Sequence, residues 1–185
     1  MVRKMRIGQI HAAALSTEGL SELAPEFSAF FLPLAYQDFD DVNNVLADLL
    51  PSLSKKMEND GVKLLYVSDL SWAYWFSTEP IRVPGDLKDK KIFTWAGNYE
   101  YEKVYRKAGY TVVPLAGTEL LSGLQTGLIN TFSTVPLYAL ARQTFGIATH
   151  MLDMKWGLLL AGVVIDVKTW NRIPKKYHAG LIQIL

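Results

Sequence analysis

The chain has 185 residues, half of them apolar and a fifth charged, a balance that suits one globular domain or two small lobes and excludes disordered and fibrous classes. A net charge of +1 gives no field that would favour nucleic acid or an anionic membrane surface. Cysteine is absent, which excludes disulfides and cysteine-ligated metals and leaves the compartment open.

In chain order, Met1-Val2-Arg3-Lys4-Met5-Arg6 is basic but lacks the apolar run and small-residue cleavage site of a signal peptide. Ile7 to Leu15 reads as a short strand after a helix end capped at Gly8, and Ser16-Thr17-Glu18-Gly19 as the loop at its carboxyl end. Asp38 to Asp60 is a helix by the three-to-four spacing of Val42, Val45, Leu46, Leu49, Leu50, Leu53 and Met57, closed by Gly61. Val62 to Val67 follows as a buried strand.

A second unit begins near Ser71. Tyr74 to Ser77 is strand-like, Pro80 to Lys90 is a charged, turn-rich connection, and Lys91 to Trp95 is a strand. Asn98 can cap a helix that runs to Ala108. Thr111 to Leu115 and Leu128 to Ser133 are strands, separated by a helix over Glu119 to Thr126. Pro136 starts a short helix, His150 to Asp166 is one long strand or two in succession, and another helix opens at Ile173. Strands alternate with helices, which predicts an α/β fold with largely parallel pairing. The longest apolar run, Trp156 to Ile165, is about ten residues, too short to cross a bilayer.

No catalytic pattern stands out. His11, His150 and His178 lie at no metal-ligand spacing, so no metal or cofactor is expected. Nucleophile elbows and glycine-rich phosphate loops are missing. Asp40 and Asp41 open a helix, where carboxylates belong for electrostatic reasons.

A binding site has better support, because ligands of α/β sheets sit outside the carboxyl ends of the strands. Three loops qualify: Ser16-Thr17, Trp95-Ala96-Gly97-Asn98 and Ser133-Thr134. Helix capping is an equally good explanation for Asn98. Five Trp, nine Tyr and eight Phe supply rings for both core and cleft.

Five segments, in order, resemble the solute-binding component of TRAP transporters (the DctP-like family). They are Met5 to Ala13, Phe31 to Asp38, Pro80 to Ile92, Leu121 to Asn130 and Trp170 to Pro174. The resemblance implies an α/β, two-lobed periplasmic-binding-protein-like fold of type II, with mixed, mostly parallel sheets and hinge strands. It puts residues 1–70 and 157–185 in one lobe, incomplete here, and residues 71–156 in the other. It further implies a non-enzymatic, periplasmic protein with a signal sequence or lipid anchor upstream. Such a protein captures a small organic solute between its lobes and delivers it to the TRAP membrane permease, and it can form a homodimer. A sensor or interaction module on the same fold is the alternative, ahead of an enzyme.

One departure bears on the ligand. Phe93 stands where most family members carry a carboxylate-gripping arginine, and Ser71 to Phe76 lacks the second one. A buried carboxylate without a partner costs several kcal/mol, roughly. The expected ligand is therefore weakly anionic or apolar, stacked on Trp72, Tyr74, Phe93, Trp95 or Trp156 and anchored by Thr17, Asn98, Ser133 and Thr134. Arg82 or Arg142 could supply charge from elsewhere, and hinge or core packing would equally explain Trp72 and Trp75.

Overall fold

A computed structural model describes residues 1–97 and 99–184. The chain divides into two compact units, Met1–Ser71 with Gly157–Leu185, and Trp72–Trp156. Among the described residues the strands join one mixed sheet in the order β1-β6-β2-β5-β3-β4.

The first unit starts with α1 (Val2–Arg6), β1 (Ala12–Ser16) and α2 (Thr17–Ser21). The chain is helical at Thr17 to Ser21, where the sequence suggested a loop. Gly19 explains the fit, since a Cβ there would stand 3.1 Å from the Leu15 side chain. Helix α3 (Phe39–Asn59) is capped by Asp38, whose carboxylate accepts the Asp41 N–H at 2.9 Å. Its buried line is Val42, Leu46, Leu53 and Met57, while Val45 and Leu49 sit at the exposed shoulder of the predicted stripe. Gly61 follows with φ +85°, a conformation that glycine adopts without strain.

Strand β2 (Val62–Ser77) is continuous over 16 residues, so the two predicted strands are one. Strand β6 (His150–Asp166) is likewise unbroken over 17 residues. Both strands run through both units. β1 pairs with β6 antiparallel, from Ala12↔Ile165 to Ser16↔Ala161. Helices α7 (Val167–Arg172) and α8 (His178–Ile184) close the first unit, and the helix expected to open at Ile173 begins later.

The second unit contains β3 (Lys91–Trp95), α4 (Tyr99–Lys107), β4 (Thr111–Leu115), α5 (Leu120–Gln125), β5 (Thr131–Thr134) and α6 (Pro136–Ala141). β3 pairs parallel with β4 and with β5, whereas β2 meets β5 antiparallel from Tyr74↔Thr134 to Ser77↔Thr131. The parallel pairing is thus concentrated where helices cross over between strands. Side chains of the sheet enter two separate cores. Phe76, Phe93 and Phe132 pack with Leu120, Leu124 and Ala139 of α5 and α6. Trp75, Ile92 and Val112 pack with Leu87 and with Tyr105 of α4.

In the first unit one carboxylate ties β1, β6 and α7 together. Asp166 caps α7 by accepting the Thr169 N–H at 2.7 Å, and its other oxygen lies 3.0 Å from His11 Nδ1. Burial works to raise its pKa, but the Thr169 bonds and then His11 outweigh it and leave it below the ordinary carboxylate value. A depressed carboxyl pKa adds stability above the unfolded value and loses it as pH falls through the folded one. Asp166→Ala should therefore cost about 1 kcal/mol at neutral pH, the usual worth of a cap. In urea denaturation the gap to wild type should shrink below about pH 4. A gap that is equally wide in acid would show that the cap's charge contributes nothing.

Candidate functional site

Successive residues of a strand face opposite sides of the sheet, and this sorts the candidate residues of the second unit. Phe93, Phe76 and Phe132 enter the α5/α6 core. Trp95, Tyr74 and Thr134 lie two residues from them on the same strands and share that face. Tyr74 and Thr134 are direct cross-strand partners. They stand beside the carboxyl ends of β3 and β5, where an α/β sheet presents its ligand groups.

Trp95 is the outstanding side chain there. It is 40% exposed, yet its ring is held on several sides. Phe93 meets it edge-on at 5.3 Å between ring centres, and Tyr138 of α6 does the same at 6.4 Å. Beneath it lies Gly117, where an added Cβ would stand 2.3 Å from the indole. Glycine is required at that position for the ring to lie where it does. A large ring that is fixed but wetted suits ligand stacking, because no side-chain entropy remains to be lost on binding.

Phe93 itself is 6% exposed and belongs to the core. The position where relatives were expected to carry a gripping arginine is thus filled by an inward ring. Cations border the face instead. The Lys155 ammonium lies over the Trp72 ring at 5.1 Å, and the Arg142 guanidinium over the Tyr138 ring at 5.2 Å. Trp72 is only 5% exposed. Sequence reasoning missed Lys155. The signal was available in strand parity, because Lys155 must face away from its neighbour Trp156.

Ser133 and Trp156 belong to the opposite face. Ser133 pairs across the strands with Trp75, and Trp75 meets Trp156 edge-on at 5.3 Å. Burial first, then the Tyr101 hydroxyl 2.8 Å away, pushes the Tyr105 phenol in this cluster far above its ordinary pKa. The Trp156 indole works weakly the other way. The hydroxyls of Thr94 and Ser133 and the Trp75 indole nitrogen are buried here with no hydrogen-bond partner among the described residues.

Thr17, in the first unit, is 2% exposed, and its hydroxyl accepts the Leu160 N–H at 2.7 Å. That bond fixes α2 against β6. Asn98 lies outside the described residues. No group of three or more His, Asp or Glu side chains among the described residues could hold a metal ion. Within the second unit the structure thus gathers Trp95, Tyr74 and Thr134 on the face whose core holds Phe93, sets Trp72 under Lys155 on that face, and places Ser133 and Trp156 on the opposite one.

Comparison with known proteins agrees with a binding architecture. The model of bacterial extracellular solute-binding protein family 7 (DctP) matches residues 1–185. This chain belongs to that family. It is 21% identical over 178 residues to the C4-dicarboxylate-binding periplasmic protein DctP of Rhodobacter capsulatus, covering 94% of this chain and 53% of the relative. It is 30% identical over 115 residues to the ectoine-binding periplasmic protein TeaA of Halomonas elongata, covering 58% of this chain and 33% of the relative. The chain therefore spans about half the length, or less, of these curated relatives. Among solved structures, a TRAP periplasmic solute-binding protein from Pseudomonas aeruginosa with bound L-malate superposes with a TM-score of 0.87 at 17% identity, covering 99% of this chain and 64% of that one. One from Desulfovibrio salexigens in complex with diglycerolphosphate gives 0.84 at 24% identity, covering 98% and 59%. These likenesses establish the two-lobed family fold.

The packing of Trp95 on Gly117 can be tested directly. Gly117→Ala should displace the indole, weaken its near-ultraviolet circular dichroism and cost about 1 to 3 kcal/mol, the usual penalty of overpacking. An unchanged spectrum and an unchanged melting temperature would show that the ring is not held there.

Proposed function

We propose that this chain is the solute-capturing part of an extracytoplasmic, periplasmic receptor subunit of a TRAP-type secondary transporter. It binds a small organic solute, performs no chemistry on it, and hands it to the membrane permease. Family membership supports the transport role. The observation that carries the ligand reading is the exposed but immobilised Trp95, flanked by Tyr74, Thr134 and Tyr138 at the carboxyl ends of β3 and β5.

The ligand class follows from what stands at position 93. A guanidinium fork gives a carboxylate two charge-assisted hydrogen bonds, and a buried phenylalanine gives it none. Rings reward apolar bodies instead. The proposed cargo is thus weakly anionic or apolar, in contrast to the C4-dicarboxylate after which the Rhodobacter relative is named.

Thermal-shift measurements on the full chain test this. A ligand present at about 100 times its Kd stabilises the folded state by about 2.7 kcal/mol. Organic solutes with an apolar or aromatic body should raise the melting temperature and quench Trp95 fluorescence, while succinate and malate should do neither. Tight binding of succinate or malate would refute the proposed ligand class.

A further inference from the structure

We infer that the α4 side of the second unit holds a buried water site, shared by the Thr94 and Ser133 hydroxyls and the Trp75 indole N–H. The three groups sit side by side on three adjacent strands. Ser133 of β5 is the cross-strand partner of Trp75 on β2. β3 runs parallel to β5 with Ile92 beside Thr131, so Thr94 falls beside Ser133 two residues further along both strands. Strand parity keeps all three on the face of Ile92, away from Trp95 and Tyr74. Trp75 is 1% exposed and Thr94 3%. Each of the three polar atoms is sealed from bulk solvent and has no hydrogen-bond partner among the described residues.

A buried hydroxyl or N–H left unpaired is costly, and native interiors rarely hold one, let alone three in a row. Elsewhere on this face the hydroxyls of Ser77 and Thr131, also cross-strand partners, meet directly at 2.9 Å. Thr94 and Ser133 make no such contact. Neighbouring strands stand about 4.8 Å apart, and one oxygen set between them can reach both hydroxyls at about 2.8 Å. The chemistry selects water. An indole N–H only donates, so the occupant must accept, and the hydroxyls can do either. The walls of Leu87, Ile92, Tyr105 and Val112 suit a neutral molecule, because an ion among them would lose its hydration. Thr94 directly precedes Trp95 and Ser133 directly precedes Thr134, so the water ties together the two strand ends that carry the platform.

Thermal unfolding of the full chain and of its Thr94→Val, Ser133→Ala and double variants tests the site. Valine keeps the shape of threonine and removes only the hydroxyl. Each single variant should melt about 2 to 4 °C lower than wild type. The double variant should lose clearly less than the sum, because both hydroxyls hold one molecule. A Thr94→Val variant that melts higher than wild type would show the hydroxyl to be an unpaired burden, and strictly additive losses would show that the two share no occupant; either result overturns the inference. A crystal structure of the wild type reads the site even if a variant does not fold. Density for an ordered oxygen within hydrogen-bond distance of Thr94 Oγ1 and Ser133 Oγ supports it, and a direct contact between the hydroxyls, or no density there, overturns it.

Discussion

The alternation of side chains along a β-strand governs the second unit. Strand β2 carries large rings at the neighbouring positions Tyr74, Trp75 and Phe76, and β3 sets Ile92 beside Phe93; neighbours cannot face the same way. Trp75 and Phe76 go to different cores, as do Ile92 and Phe93. The sheet becomes a partition, with one set of aromatics sealed under α4 and the other set running from the α5/α6 core to the wetted ends of β3 and β5. Everything assigned to ligand contact depends on which side of that partition a residue falls.

The two sides use their rings differently. Trp75, Tyr105 and Trp156 form a cluster that includes a phenol with a strongly raised pKa, as expected of a hydroxyl kept from water. Trp95 is held as firmly, by Phe93, Tyr138 and the missing side chain of Gly117, but remains open to solvent. A receptor gains affinity from such a ring because the cost of ordering it has already been met in folding. Position 93 holds a core phenylalanine, and the cations of this face, Lys155 and Arg142, lie over the Trp72 and Tyr138 rings.

Much of the architecture was legible from spacing alone. The helix stop at Gly61, the helix opened by Pro136 and the strand segment His150 to Asp166 leave local signatures that tertiary context does not overrule. The continuity of β2 was not legible, because the polar Ser68, Asp69 and Ser71 interrupt the apolar run after Val67 and a second unit was expected to begin near Ser71. The grouping of the candidate residues on the sheet was legible only in part. Trp95 and Thr134 were singled out by their place at strand ends, and Tyr74 as a ring in the stretch where the resemblance implied a second arginine. Ser133 and Trp156 were grouped with them because composition shows rings and hydroxyls but not the face they occupy, and Phe93 because it does not show depth: that ring shares the face but is buried in the core. The structural role of Thr17 was not legible: its hydroxyl serves a backbone amide 143 residues away in sequence, a pairing that no local pattern announces.

The most direct test is a crystal structure of the full chain with an apolar or aromatic carboxylic acid bound. Electron density for the ligand should lie against the Trp95 indole, on the face shared with Tyr74 and Thr134, with the Trp75 and Ser133 side untouched. Density packed on the Trp75 face, or bound away from Trp95 altogether, would contradict the account.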